Sequence, residues 1–168
     1  MPAISRKAPG KIILCGEHAV VYGAPAIALP VFQVFTRTAV FARPFASAGD
    51  VRLIAPLVGL DCDLAALTTE NPLRTAVQLV LDELGVLSLP ACEIRISSSV
   101  PVAAGLGSSA SVAISLVRAV ADFLGHPLND ESVNRIAYEV EKIHHGTPSG
   151  IDNTVITYQA PVLFQKSG

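Results

Sequence analysis

Charge is scarce in this sequence. Lysine, arginine, aspartate and glutamate make up 15% of its 168 residues, against about 25% in a typical soluble domain. With a net charge of −2 and no basic stripe, the chain argues against a nucleic-acid partner. Cysteine is scarce too. Cys15, Cys62 and Cys92 form an odd, scattered set without C-x-x-C spacing. They read as reduced thiols of a cytoplasmic protein rather than a disulfide frame or zinc site. No apolar run of about twenty residues is uninterrupted. The best candidate, residues 20–42, contains Pro25, Pro30, Gln33 and Arg37, so no membrane partner is expected. No charged leader precedes an apolar segment, so nothing marks secretion. A Walker string, G-x-x-x-x-G-K-[ST], is missing as well.

Apolar residues are abundant, at 51%. A chain of this length suggests one domain with a real core, and the surplus is expected to cover a surface that another domain or subunit buries. Residues 11–15, 26–41 and 51–54 read as strands, with a turn at 44–50. Residues 56–69 read as irregular or a short helix. Asn71 and Pro72 open a helix, Asn as cap and Pro at the first helical position. Its stripe is Leu73, Val77, Val80, Leu81 and Leu84, and Gly85 ends it. Residues 93–98 alternate polar and apolar as a half-buried strand does. A second helix spans 108–124 and closes at Gly125. A third is capped by Asn129 or Asp130 and ends at Gly146. Residues 147–153 read as a loop, with 154–158 and 162–164 as paired strands around Gln159-Ala160-Pro161.

Between the strand at 93–98 and the helix at 108 lies Ser99-Val100-Pro101-Val102-Ala103-Ala104-Gly105-Leu106-Gly107. A strand, a glycine-rich turn and a helix N-terminus together make an anion site. Glycine lets the backbone approach a phosphate, and the first-turn amides carry the positive end of the helix dipole. Gly105, Gly107 and Ala110 also match a dinucleotide fingerprint, which requires an acidic residue after a second strand. Residues 125–129 offer no strand for it. An ordinary tight turn is the plain alternative.

Polar residues cluster at element ends, where sites are usually built. Lys11 stands with Glu17 and His18, although a lone lysine is more often a solvated surface residue. Ser108 and Ser109 sit at the mouth of the loop, and capping alone would account for Ser108. Glu141 precedes His145 by four residues, so an exposed i, i+4 pair is the plain reading, and a zinc site with His144 lacks the H-E-x-x-H order. Asp152 follows Gly150-Ile151 and by itself reads as a turn aspartate.

Their joint occurrence is more specific. Ala8-Pro9-Gly10-Lys11 with Gly16-Glu17-His18-Ala19-Val20-Val21-Tyr22-Gly23, then 101–110, then 141–152, in that order, resembles the GHMP kinases. Within that superfamily the similarity is greatest to the mevalonate kinase branch, through His18 to Gly23 and Gly146 to Asn153. The resemblance implies an α+β fold of the ribosomal protein S5 domain 2-like type, a β-sheet backed by helices. It implies that residues 1–168 form the N-terminal, ATP-binding domain, since no third glycine-rich motif of a C-terminal domain is present. The implied cofactors are ATP and Mg²⁺, and the implied activity is phosphorylation of mevalonate. By the same resemblance, backbone of Ala103, Ala104, Gly105, Leu106, Gly107, Ser108 and Ser109 cradles the phosphates. Ser109 and Glu141 hold the metal, Asp152 is the base, Lys11 lies beside it, and Glu17 and His18 shape the substrate end. The implied partners are mevalonate, the missing C-terminal domain and, among the assemblies left open, a homodimer. A sugar or phosphomevalonate kinase, or a non-catalytic half-domain, remain the alternatives.

Overall fold

The computed structural model describes residues 4–16 and 24–165. In chain order they form β1 (Ile4–Cys15), β2 (Ala26–Ala42), β3 (Val51–Ala55), β4 (Leu60–Asp63), α1 (Pro72–Leu84), β5 (Cys92–Ser98), α2 (Ser108–Phe123), α3 (Asp130–His145), α4 (Ile151–Tyr158) and β6 (Val162–Phe164). The sheet runs β1-β2-β5-β3-β4, and β6 pairs with the start of β2. All pairs are antiparallel except β3 with β5. A parallel pair requires a crossover, and the segment containing β4 and α1 supplies it.

Period-two alternation decides which sheet face is covered. Cys92, Ile94 and Ile96 of β5 are buried with Val40 of β2 and Val51 and Leu53 of β3, while Arg95 points the other way. The four helices back that apolar face. At their centre is α2, which packs on β1, β2 and β5 and touches α1, α3 and α4. It is apolar nearly all round, as a helix enclosed by other elements must be. Its two interior serines are satisfied: Ser111 Oγ donates to the Ala8 carbonyl at 2.9 Å, and Ser115 Oγ meets Thr38 Oγ1 at 2.8 Å. Small side chains there let the helix lie close against β1.

The helices at 72–84, 108–123 and 130–145 and the strands at 26–42, 51–55 and 92–98 follow the expected pattern closely. Four differences have physical causes. The first strand begins at Ile4, well before Lys11, because its N-terminal part pairs with β2 from Ile4↔Val40 onward. Residues 56–69 hold a short strand, β4, between two single-turn 3₁₀ segments, Pro56–Val58 and Leu64–Ala66. Residues 154–158 are not a strand paired with 162–164 but the body of helix α4. Local β-branching at Thr154, Val155, Ile156 and Thr157 favours extension, yet tertiary packing overrides it. Ile151 and Val155 close over Ala26 and Ala28, and Ile156 enters the main core. The partner of β6 is β2 instead, through Ala26↔Phe164. Finally, the loop expected at 147–153 ends at Gly150, so Asp152 is a helical residue.

Candidate functional site

The loop between β5 and α2 delivers an uncapped helix N-terminus. Gly107 occupies the cap position of α2 in the left-handed region, φ 68°, and no side chain bonds the first-turn amides from that position. Ser108 is therefore the first helical residue and not the cap that its type suggested. In α1 and α3, by contrast, asparagines do cap: Asn71 Oδ1 accepts from Leu73 N at 3.0 Å, and Asn129 Oδ1 from Ser132 N at 2.8 Å. The start of α2 thus offers free donors and a positive dipole end to an anion. The loop backbone is shaped for close approach. Gly105 has φ 71° and Ala103 has φ 58°, a conformation costing a non-glycine residue about 1–2 kcal/mol. Residues 103–105 are exposed, Leu106 is half-buried, Gly107 is buried, and Ser108 and Ser109 are half-buried.

Lys11 lies directly beneath this loop. A register shift in the β1–β2 ladder between Pro9 and Gly10 advances β2 from Phe35 to Val31, and Lys11 then pairs with Pro30. Its main-chain N–H leaves the ladder and donates to the Leu106 carbonyl at 3.0 Å, joining β1 to the loop. The residue is only 3% exposed, so Lys11 is no solvated surface lysine. Its ammonium reaches the Asp152 carboxylate at 3.0 Å, and that carboxylate keeps 30% of its surface open to solvent. An ammonium is removed from water only when a partner compensates it, and Asp152 is that partner. Because Asp152 sits in the first turn of α4, its negative charge also meets the favourable end of a helix dipole.

Glu141 is the surprising member. It lies near the end of α3, is 3% exposed, and its Oε1 has no hydrogen-bond partner. Its Oε2 is 3.6 Å from His145 Nε2, too long for a hydrogen bond. The i, i+4 contact with His145 is therefore present at ion-pair distance, but its acid is buried rather than exposed. A buried carboxylate oxygen without a donor is costly unless a cation or donor comes from outside. An oxygen donor of this kind fits a hard divalent cation, which needs only one or two protein carboxylates when phosphate oxygens complete its shell. No cluster of three histidine, cysteine or acidic residues suited to a metal occurs among the described residues. No hydrogen bond joins Glu141 to Ser109.

The structure thus brings together Lys11, Asp152, Leu106 and Gly107, and places Ser108 and Ser109 on the first turn above them. Glu17 and His18 lie outside the described residues. Two supporting residues carried no sequence signal strong enough to single them out. Ser111 ties α2 to β1 just upstream of Lys11, and Asn153 Nδ2 donates to Asn134 Oδ1 at 2.6 Å, tying α4 to α3 beside Asp152. A serine inside an apolar helix was the only hint of the first. An asparagine adjoining the candidate base was the only hint of the second.

Comparison with known proteins bears on this arrangement. The family model described as "GHMP kinases N terminal domain" matches residues 71–160. A mevalonate kinase of Thermococcus sibiricus is 36% identical over 95% of this chain and 50% of its own length. The crystal structure of the Methanococcus jannaschii mevalonate kinase superposes with a TM-score of 0.86 at 29% identity, over 98% of this chain and 54% of that one. The crystal structure of L. major mevalonate kinase in complex with R-mevalonate gives a TM-score of 0.72 at 33% identity, over 96% of this chain and 48% of that one. The chain spans about half the length of the relatives it matches. No helix among the described residues is long and apolar enough to cross a membrane.

Proposed function

The chain belongs to the GHMP kinases, and from that premise we propose that it forms the N-terminal part of an ATP-dependent kinase acting on the primary hydroxyl of mevalonate. The observation carrying this reading is the buried Lys11–Asp152 pair beneath an uncapped, glycine-rich helix start. Its support as to acceptor is the similarity to mevalonate kinases along nearly the whole chain. The other half of the enzyme would be a C-terminal domain, consistent with the half-length match.

Phosphoryl transfer asks a protein mainly to position groups and to neutralise charge. Backbone amides of 103–109 receive the ATP phosphates at the positive end of α2. Ser109 and Glu141 are the residues that would hold Mg²⁺, which when bound neutralises charge on the phosphate oxygens. Asp152 accepts the proton of the substrate hydroxyl as its oxygen forms a bond to the γ-phosphorus, and the bond to the β,γ-bridging oxygen breaks, releasing ADP. Lys11 holds Asp152 ionised and favours negative charge on the attacking oxygen. Glu17 and His18 shape the substrate end.

The test is ADP release from MgATP with mevalonate, galactose and phosphomevalonate offered separately to the intact polypeptide. Turnover confined to mevalonate is the expected result, and turnover confined to either other acceptor would overturn the substrate assignment. A second reading, a half-domain inactive until joined to its complement, is favoured by the half-length match. It is separated by assaying residues 1–168 alone, where silence with retained nucleotide binding is its signature.

A further inference from the structure

We propose that Gly107 and Ile156 are positioning residues for Lys11, so that the glycine loop seats the lysine as well as receiving phosphate. A Cβ placed on Gly107 would lie 2.9 Å from Lys11 Cγ, 3.4 Å from Lys11 Cε and 2.9 Å from Ile156 Cδ1. The room a side chain would need at Gly107 is therefore already taken by the lysine stem and one isoleucine methyl. Ile156 is fully buried on α4, one turn after Asp152, and has no slack to give. Lys11 is tied at both ends of this notch. Its main-chain N–H is bonded to the Leu106 carbonyl, and its ammonium faces Asp152 at 3.0 Å.

A lysine stem ordinarily keeps much rotamer freedom, and fixing it is costly. The notch removes that freedom before any ligand arrives. Gly105 makes the contrast. Its φ of 71° matches the 68° of Gly107, yet nothing lies within 4 Å of a Cβ built there. Both glycines satisfy a left-handed backbone, and only Gly107 also makes room for a neighbour. The seat stands on geometry alone; its consequence for turnover rests on the kinase reading above.

The experiment measures acetylation of Lys11 by a water-soluble N-hydroxysuccinimide ester, followed by peptide mass spectrometry on the ligand-free, intact polypeptide. Gly107→Ala is expected to raise the Lys11 modification rate several-fold, while Gly105→Ala, with a matched backbone penalty, leaves that rate at the parent value. Ile156→Val removes only Cδ1 and is expected to raise it as well, which keeps the test open should Gly107→Ala fail to fold. The double variant Gly107→Ala/Ile156→Val is expected to regain part of the protection, because the lost methyl makes room for the new one. Parent-rate modification in Gly107→Ala and Ile156→Val would overturn the seat, whatever their activity.

Turnover supplies the second readout. A misplacement of about 1 Å can reduce the rate about 10²-fold, so kcat in Gly107→Ala should fall further than KM for mevalonate rises. Faster Lys11 modification with unchanged kcat would uphold the seat and remove Lys11 from the chemistry.

Discussion

Replacing Asp152 by alanine tests whether the Lys11–Asp152 pair is as interdependent as its burial implies. The variant leaves an ammonium in a position 3% exposed with its 3.0 Å ion pair deleted. Removing one partner of a buried pair typically costs about 3–5 kcal/mol. Because the Asp152 side chain retains 30% exposure, water can replace part of the lost interaction, and about 2–3 kcal/mol is the appropriate scale. In a domain of this size each kcal/mol moves Tm by about 2–4 °C, so the melting point should fall by about 5–10 °C. Lys11→Met keeps the stem in its notch and strands the more exposed partner, so it should cost less, about 1 kcal/mol. Lys11→Met/Asp152→Ala should then be more stable than Asp152→Ala alone, since no uncompensated charge remains buried. Urea melts of the four proteins close the cycle. A Tm for Asp152→Ala within about 1 °C of the parent, or strictly additive effects, would refute the coupling.

Four other outcomes are expected. Glu141→Gln should stabilise the ligand-free protein by about 1–3 kcal/mol, because it neutralises a buried oxygen that has no donor, while raising the Mg²⁺ requirement of turnover; an unchanged Mg²⁺ titration would count against ligation. Burial pushes the Cys92 thiol up from 9.0 to about 11, so its contribution to stability is complete below pH 9 and is lost as pH rises toward 11. In thiol labelling at neutral pH, exposed Cys15 should react first and Cys92 last, and equal rates would contradict its burial. Asn71→Ala should cost about 1 kcal/mol through the two amide bonds it removes, seen as a Tm drop of about 2–4 °C. The Glu83 carboxyl is held below its usual range by hydrogen bonds from Arg135 and then Ser132, so the stability it adds is present at neutral pH and fades as pH falls through the carboxylate range; Glu83→Gln should flatten that acid limb of the melting curve.

The parts of the fold legible in the sequence are those where local chemistry and tertiary packing agree. Asn71-Pro72 and Gly85 bracket α1 because cap, first-turn proline and left-handed stop are all local devices. β5 is legible because one face is buried and the other wet. α4 is not, because Thr154 to Thr157 are good strand residues made helical by contacts with Ala26 and Ala28, more than a hundred positions away. β4 escapes notice because four residues, Leu-Asp-Cys-Asp, on a sheet edge carry too short a pattern to read.

The site divides along the same line, and the helix starts show why. All four helices open at residues suited to that place, but asparagines cap α1 and α3, whereas left-handed glycines open α2 and α4. An asparagine at Gly107 would satisfy the first-turn amides of α2 from within the chain and take the place an anion needs. Its side chain would also collide with Lys11, whose stem occupies that space. Glycine at this position therefore meets two demands at once: it leaves donors free and admits the lysine. The first demand is visible in a glycine-rich turn before an apolar helix. The second is not, because the register shift at Pro9–Gly10 and the packing of Ile156 that bring Lys11 there are properties of the assembled sheet and of α4. The same holds for Glu141, whose burial follows from how α3 packs rather than from its neighbours in sequence. Residue types announce the candidate anion-binding loop, while long-range packing decides which acid and which lysine face one another beneath it.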